Sequence, residues 1–171
     1  ALTGGSSLYA QGGDDEPNNS FGTASALPST GTVTGAINPA QDADWYQLGV
    51  DGHGELQFKI TNVAPELDID VRLWNSNKDV ISDWFAPLAK GGGTEALIDL
   101  PAAGVYYLEV RDGNDDAAAE QPYTLATTFA PSPDMAEPNN DFGQASTLSF
   151  DQPQRATILP VRDADWLAVT V

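Results

Sequence analysis

Apolar and polar residues alternate in a series of short segments along the chain, which is the pattern of β-strands with one buried face. Glycine, proline, asparagine and aspartate separate these segments, as in the turn Asp51-Gly52-His53-Gly54. The pattern predicts an all-β fold, an antiparallel β-sandwich, although a β-barrel would show the same alternation. The predicted strands lie near residues 32–37, 46–50, 56–60, 67–74, 80–81, 96–100, 105–110 and 123–129.

One segment near the N-terminus departs from this alternation. Phe21, Ala24 and Leu27 have the spacing of one face of a helix, and Pro28 follows directly. This spacing predicts one or two helical turns that end before the proline.

The chain contains one segment twice, at a constant offset of 121 residues. Residues 15–50 and 136–171 share the motifs E-P-N-N, F-G, A-S-x-L and D-A-D-W, and 16 of the 36 aligned positions are identical. Two strands bury too little surface to be stable alone, so the second copy needs following chain, the first domain or a neighbouring molecule to complete it. We therefore predict a linker or N-terminal extension over 1–13, a complete β-sandwich over 14–129, a linker over 130–135 and the N-terminal part of a second copy over 136–171.

The composition limits the kinds of molecule that the chain is expected to bind. The formal net charge of −18 argues against binding to nucleic acid or to an anionic membrane surface, because both attract positive proteins. No apolar run approaches the length of a membrane span, so membrane insertion is not expected. The chain has no cysteine, which excludes disulfides and thiolate metal sites and leaves oxygen ligands for a hard cation.

Oxygen-bearing side chains are concentrated in the repeated segment, and they suit calcium. Ca²⁺ takes six to eight oxygen ligands from carboxylates, amides, backbone carbonyls and water. Asp42 and Asp44 would share a face of an extended strand, and a calcium ion would order the acidic segment from Asp14 to Asn19 against them. The alternative is that these residues flank turns and bond to the backbone. The candidate ligands are Asp14, Glu16, Asn18, Asn19, Asp42 and Asp44 in the first copy and Glu137, Asn139, Asn140, Asp163 and Asp165 in the second.

Taken together and in order, five motifs resemble the bacterial pre-peptidase C-terminal domain: E-P-N-N (16–19), D-A-D-W (42–45), L-D-I-D-V-R-L-W (67–74), G-V-Y-Y-L-E-V (104–110) and P-Y-T-L (122–125). The resemblance implies a jelly-roll-like β-sandwich of a secreted or cell-surface protein. It also implies calcium binding, as in the related collagen-binding domains of clostridial collagenases. Two departures imply weaker binding or fewer ions: Asn19 stands where such sites tend to have an acid, and the second copy lacks an acid at position 135.

Catalytic motifs are absent from the sequence, and we predict that the chain is not an enzyme. It has no cysteine nucleophile, no G-x-S-x-G, no H-E-x-x-H and no phosphate-binding loop. The single histidine, His53, lies between glycines in a predicted turn, where a general base would be poorly held. The acidic loop over 112–116 is predicted to be a solvated turn, and Asp68 and Asp70 are predicted to face solvent.

The function predicted from the sequence is a non-catalytic, calcium-binding module of a secreted bacterial protein, with an accessory, structural or ligand-binding role. Trp84 and Phe85 lie in a loop bounded by Pro87 and glycines, and they are predicted to form an exposed patch for an extracellular protein or polysaccharide. The alternative is a subunit of an extracellular fibre or adhesin, which self-associates when strands of a neighbouring molecule complete the second copy.

Overall fold

The computed structural model describes residues 15–132, 134, 136–137, 139–151, 153–154, 156, 158 and 164–170. These residues form strands, turns and extended segments without a helix, which confirms the all-β prediction. No helix among them is therefore long and apolar enough to cross a membrane. The strands are β1 (Ser25–Ala26), β2 (Gly31–Gly35), β3 (Ala43–Val50), β4 (Gly54–Thr61), β5 (Ile69–Asn75), β6 (Thr94–Leu100), β7 (Gly104–Asp112), β8 (Tyr123–Pro131), β9 (Ser146–Thr147) and β10 (Leu167–Ala168).

Strands β1 to β8 form two four-stranded sheets, which confirms the predicted sandwich. The strand order is β1-β3-β7-β5 in the first sheet and β2-β8-β4-β6 in the second. Neighbouring strands in these two sheets are antiparallel, except that β1 and β3 are parallel. Within the described residues the two sheets remain separate, so the β-barrel alternative does not apply.

The core lies between the two sheets and follows from the alternation of each strand. On the first sheet, Tyr46 pairs with Leu108 and Val71 pairs with Val110, and all four side chains are buried. Each such side chain contributes about 1.5–3 kcal/mol when it is removed from water. The opposite wall comes from β4 and β8 and includes Leu56, Phe58, Ile60, Tyr123 and Leu125.

The helical turns predicted between Phe21 and Leu27 are not formed. A turn closed by a hydrogen bond from the Thr23 N–H to the Ser20 carbonyl (3.1 Å) leads into β1, and the Leu27 N–H then donates to the Gln47 carbonyl (2.8 Å). A helix of one or two turns is unstable alone, because its nucleation is unfavourable. The backbone groups at the edge of β3 offer this segment better hydrogen bonds.

The second copy repeats the hydrogen bonds of the first at the same offset. β10 and β9 are parallel, with Leu167 opposite Ser146, as β3 and β1 are, with Tyr46 opposite Ser25. The Leu148 N–H donates to the Ala168 carbonyl at 2.9 Å, which matches the bond from Leu27. The described residues 146–148 and 167–168 therefore repeat the local structure of 25–27 and 46–47.

Candidate functional site

The acidic N-terminal segment is attached to the start of β3. The Asn18 N–H donates to Glu16 Oε2 at 3.0 Å, and the Asn18 carbonyl accepts from the Trp45 N–H at 3.0 Å. Because Trp45 follows Asp44 directly, this backbone bond brings the E-P-N-N segment beside the D-A-D-W segment.

Three carboxylates of the first copy converge at this junction. Glu16, Asp42 and Asp44 each contribute an oxygen to a group whose members lie within 4.8 Å of one another. Asp42 and Asp44 are buried, whereas Glu16 is exposed. The Asp42 carboxylate is fixed by the N–H groups of Asn38 and Ala43, both at 3.0 Å. The arrangement is an acidic site with one solvent-exposed member, and we name it the first carboxylate cluster.

Asn18 is the most informative side chain beside this cluster. It is completely buried, and neither its amide oxygen nor its amide nitrogen has a hydrogen-bond partner among the described residues. An unpaired buried amide costs about 1–3 kcal/mol in proteins. Asn19, by contrast, is exposed, and Asp14 lies outside the described residues.

The second copy has an equivalent group, which we name the second carboxylate cluster. Its members are Asp134, Glu137 and Asp165, again within 4.8 Å of one another. The sequence predicted Glu137 and Asp165 but not Asp134, which precedes the repeated segment and is buried. Asp163 lies outside the described residues. The missing acid at position 135 is thus replaced by one a single residue earlier.

Asn139, the counterpart of Asn18, shows how the amide relates to the carboxylates. One polar atom of its amide lies 3.2 Å from Glu137 Oε1 and 3.3 Å from Asp165 Oδ1. With nitrogen in that position, the amide donates to both carboxylates. With oxygen there, three oxygen atoms face one another and repel unless a proton or a cation lies between them. Asn140 is also close, because its Nδ2 lies 3.5 Å from Glu137 Oε2 and its Oδ1 accepts from the Ala164 N–H at 3.4 Å.

A hydrogen-bonded pair of tyrosines lies behind Asp44. The Tyr123 hydroxyl donates to Asp44 Oδ2 at 2.5 Å, and the hydroxyls of Tyr46 and Tyr123 are 2.7 Å apart. All three residues are completely buried. Burial, together with the neighbouring Tyr46 and Asp44, raises the pKa of Tyr123 well above its ordinary value. Tyr123 is therefore a protonated, neutral donor at every physiological pH.

A third group of carboxylates, Asp68, Asp112 and Asp116, was not predicted as a site. Asp112 is buried, contrary to the prediction of a solvated turn over 112–116, because alternation along β7 places it on the inward face after Val110. Burial, the hydrogen bond to Asp112 and repulsion from Asp112 raise the pKa of Asp68. The prediction that Asp68 faces solvent is therefore wrong for its Oδ1, which is buried. The signal in the sequence was the unbroken alternation from Tyr106 to Asp112.

Trp84 and Phe85 lie against the sandwich and contact different partners. The Phe85 ring packs on Phe58 in a T-shaped contact at 5.5 Å, and the backbone of Phe85 pairs with that of Val71. The Trp84 ring is covered by the guanidinium groups of Arg72 and Arg111, at 4.3 and 4.2 Å. Both side chains are partly buried, and ligand binding by this pair stays a prediction.

His53 lies in the turn between β3 and β4, as expected, but the prediction that it is poorly held is wrong. Its Nε2 is 2.7 Å from Asp99 Oδ1, and only 8% of its side chain is exposed. The other ring nitrogen, Nδ1, is buried and has no hydrogen-bond partner among the described residues. His53 is therefore held in place by the Asp99 carboxylate.

No protein-family model and no curated protein matches the chain. Among solved structures, it is similar to the pre-peptidase C-terminal domain of a collagenase from Bacillus anthracis, with 18% identity and a TM-score of 0.49 over 61% of this chain and 94% of that chain. It is also similar to a predicted secreted protein from Eubacterium rectale, with 17% identity and a TM-score of 0.37 over 57% of this chain and 33% of that chain. The first of these solved structures is described as a pre-peptidase C-terminal domain, the family that the sequence motifs resemble.

Proposed function

We propose that this chain is a calcium-binding β-sandwich module without a catalytic role, which serves as an accessory or structural unit of a secreted bacterial protein. The observation that carries the proposal is the buried Asn18 amide, without a hydrogen-bond partner in the described residues, beside the converging carboxylates of Glu16, Asp42 and Asp44.

The charges of the first carboxylate cluster favour a bound cation. Carboxylates within 4.8 Å of one another repel, and burial of Asp42 and Asp44 adds a desolvation cost to their charged forms. A cation among these oxygens would remove the repulsion and give the Asn18 amide oxygen a partner. The net charge of −18 increases the benefit of each bound cation.

The oxygen donors of the first carboxylate cluster favour calcium over magnesium. The oxygens come from an exposed glutamate, two aspartates at the start of a strand and an asparagine, with solvent at the Glu16 side. Calcium accepts irregular mixtures of six to eight oxygens, whereas magnesium requires a near-ideal octahedron and retains several waters. The absence of cysteine from the chain disfavours the softer transition metals.

Calcium titration by calorimetry and thermal unfolding with calcium or chelator test the proposal. We expect calcium to raise the unfolding temperature, because a ligand at a hundred times its Kd stabilises the folded state by about 2.7 kcal/mol. Asp44→Asn should weaken binding at the first carboxylate cluster. The matched control is Asp83→Asn, which removes the same charge from an exposed residue of the loop before Trp84.

Each outcome is decisive for this proposal. Absence of binding heat and of a thermal shift in the unmodified chain would overturn it. If magnesium raised the unfolding temperature as much as calcium does, the chain would respond to divalent charge in general and would have no specific calcium site. If Asp83→Asn weakened binding as much as Asp44→Asn, the ion would be held by the overall charge and not by the first carboxylate cluster.

A second candidate function, a self-associating fibre or adhesin subunit, is favoured by the apolar surface of the second copy. Leu167 and Val169 are 41% and 48% exposed, whereas their counterparts Tyr46 and Leu48 are buried in the core between the two sheets. Strands of a neighbouring molecule that paired with β10 and packed over its exposed face would cover this surface. Light scattering over a range of concentrations tests the candidate, and a monomer at every concentration would contradict it.

A further inference from the structure

The buried tyrosine pair next to the first carboxylate cluster has a defined direction of hydrogen bonding. Each hydroxyl carries one proton, and that of Tyr123 is donated to Asp44 Oδ2. The bond between the two hydroxyls must therefore use the proton of Tyr46, which donates to the Tyr123 oxygen over 2.7 Å. Two neutral donors in series thus end on one carboxylate of the cluster.

The sandwich leaves this pair little freedom to move. The backbone of β2 lies against both hydroxyls, since a Cβ added to Gly35 would be 2.3 Å from the Tyr46 oxygen and 2.5 Å from the Tyr123 oxygen. Tyr46 and Tyr123 come from opposite sheets, β3 and β8. The position of the Asp44 carboxylate is consequently set by the packing of both sheets.

We propose that Tyr123, supported by Tyr46, is a positioning residue that holds the Asp44 carboxylate in its cation-binding orientation before the cation arrives. This inference rests on the proposed function. A ligand that is already oriented loses less conformational freedom on binding, and hydrogen bonds behind metal ligands raise metal affinity by about 10 to 100-fold. Because the tyrosines are neutral, they orient Asp44 without competing with the cation for its charge.

The same reasoning predicts that the two carboxylate clusters bind calcium with different affinities. Leu167 stands at the position of Tyr46 in the second copy, and a leucine has no hydroxyl to supply. Asp165, the counterpart of Asp44, is also partly exposed, whereas Asp44 is completely buried. Solvent screens the charges of the second cluster more strongly. The first carboxylate cluster is therefore the tighter of the two calcium sites.

The test uses variants of the whole 171-residue chain in which one cluster is disabled. Glu137→Gln disables the second cluster, so that calcium binding at the first is measured. Asp44→Asn disables the first cluster, so that calcium binding at the second is measured. In the Glu137→Gln protein, adding Tyr123→Phe removes one hydroxyl and keeps the ring, and we expect the calcium Kd to rise about 10-fold or more. In the Asp44→Asn protein, Tyr123→Phe should leave the Kd of the second cluster unchanged, which a general loss of stability would not do.

Tyr106→Phe is the matched control. Tyr106 is also buried in the first sheet, but its hydroxyl donates to the Ala102 carbonyl at 2.8 Å and has no role in the cluster. In the Glu137→Gln protein, Tyr106→Phe should leave the calcium Kd unchanged. Where Tyr123→Phe prevents folding, Tyr46→Phe is used instead, with an expected rise in Kd of a few fold because the bond from Tyr123 to Asp44 remains.

The outcomes separate this inference from the function on which it rests. Absence of calcium binding in the Glu137→Gln protein with all tyrosines intact overturns the proposed function, and the positioning role with it. If that protein binds calcium and neither Tyr123→Phe nor Tyr46→Phe weakens binding more than Tyr106→Phe does, only the positioning role is overturned. A second cluster that binds as tightly as the first overturns the inequality of the two sites.

Discussion

Replacement of Asp112 by asparagine tests how the loop after β7 is held. The Asp112 carboxylate is completely buried, and it accepts hydrogen bonds from three backbone N–H groups: those of Asp68 at 3.1 Å, Asp116 at 3.0 Å and Ala117 at 3.2 Å. Asparagine has the same size, but one of its two oxygens is replaced by an amide nitrogen. That nitrogen would face an N–H donor and could not accept from it.

The expected loss of stability in Asp112→Asn follows from these three hydrogen bonds. A hydrogen bond to a charged group contributes about 1.5–3 kcal/mol, and a neutral one about 0.5–1.5 kcal/mol. Asp112→Asn loses at least one bond and makes the others neutral, while relief of the repulsion between Asp112 and Asp68 offsets part of the loss. We expect the free energy of unfolding to fall by about 2–4 kcal/mol at pH 7.

The pH dependence provides an independent check. Burial alone would raise the pKa of Asp112, but the backbone and side-chain hydrogen bonds with Asp68 and the N–H donors of Asp116 and Ala117 outweigh burial and lower it. A carboxyl whose pKa is lowered by folding stabilises the folded state above its unfolded pKa of about 3.9, and this contribution is lost as the pH falls through the folded-state pKa. The difference between wild type and Asp112→Asn should therefore shrink below about pH 4.

Urea unfolding followed by tryptophan fluorescence measures this difference at pH 7 and pH 3, with Asp83→Asn as the control of equal charge. The reasoning is refuted if Asp112→Asn lies within about 0.5 kcal/mol of Asp83→Asn at pH 7, the range typical of surface substitutions. A difference of the same size at pH 3 would also contradict it, because at that pH the unfolded carboxyl is mostly protonated and part of the contribution of Asp112 is lost.

Three further predictions concern the core, a close backbone approach and a partly buried carboxyl. Leu108→Ala, at a completely buried position of β7, should cost about 2–5 kcal/mol in urea unfolding, and a loss below 1 kcal/mol would contradict the packing described. Gly54→Ala places a Cβ 2.3 Å from the Ala130 carbonyl oxygen and should lower the free energy of unfolding by more than about 1 kcal/mol. Gly49→Ala, whose Cβ would have no atom within 4 Å, should not, and equal losses in the two variants would refute this reasoning. Burial raises the pKa of Glu109, so its contribution to stability is present below its unfolded pKa of about 4.3 and falls as the pH rises through the folded-state pKa. Glu109→Gln should therefore gain stability relative to wild type as the pH rises above about 4, and a difference in stability that does not change with pH would argue against this.

The sandwich was predictable because alternation, glycines and prolines specify strands and turns locally. The segment from Phe21 to Leu27 was not, because its helical spacing is a local signal, whereas its actual partner, the edge of β3, is 20 residues away in sequence. Parallel pairing of β1 with β3 leaves no turn motif that the sequence would reveal.

The first carboxylate cluster was predictable in its residue types, and its assembly followed from the repeat. Asp134 was missed because it precedes the repeated segment and has no acidic counterpart in the first copy, where Gly13 stands. The tyrosine pair was missed because Tyr46 and Tyr123 come from different sheets, and a contact between distant segments has no local pattern. The alternation predicted the two strands that carry these tyrosines but not that their hydroxyls meet.

The short parallel strand β1 has a mechanical consequence. It joins β3 through only two paired residues, so the chain before it is anchored weakly by backbone bonds. Tension applied to the N-terminal side would pull Glu16 away from Asp42 and Asp44, and an ion gripped by all three would carry that load. On the proposed function, a calcium-loaded module would resist stretching at this joint more than an empty one, and its tensile strength would depend on the calcium concentration around it.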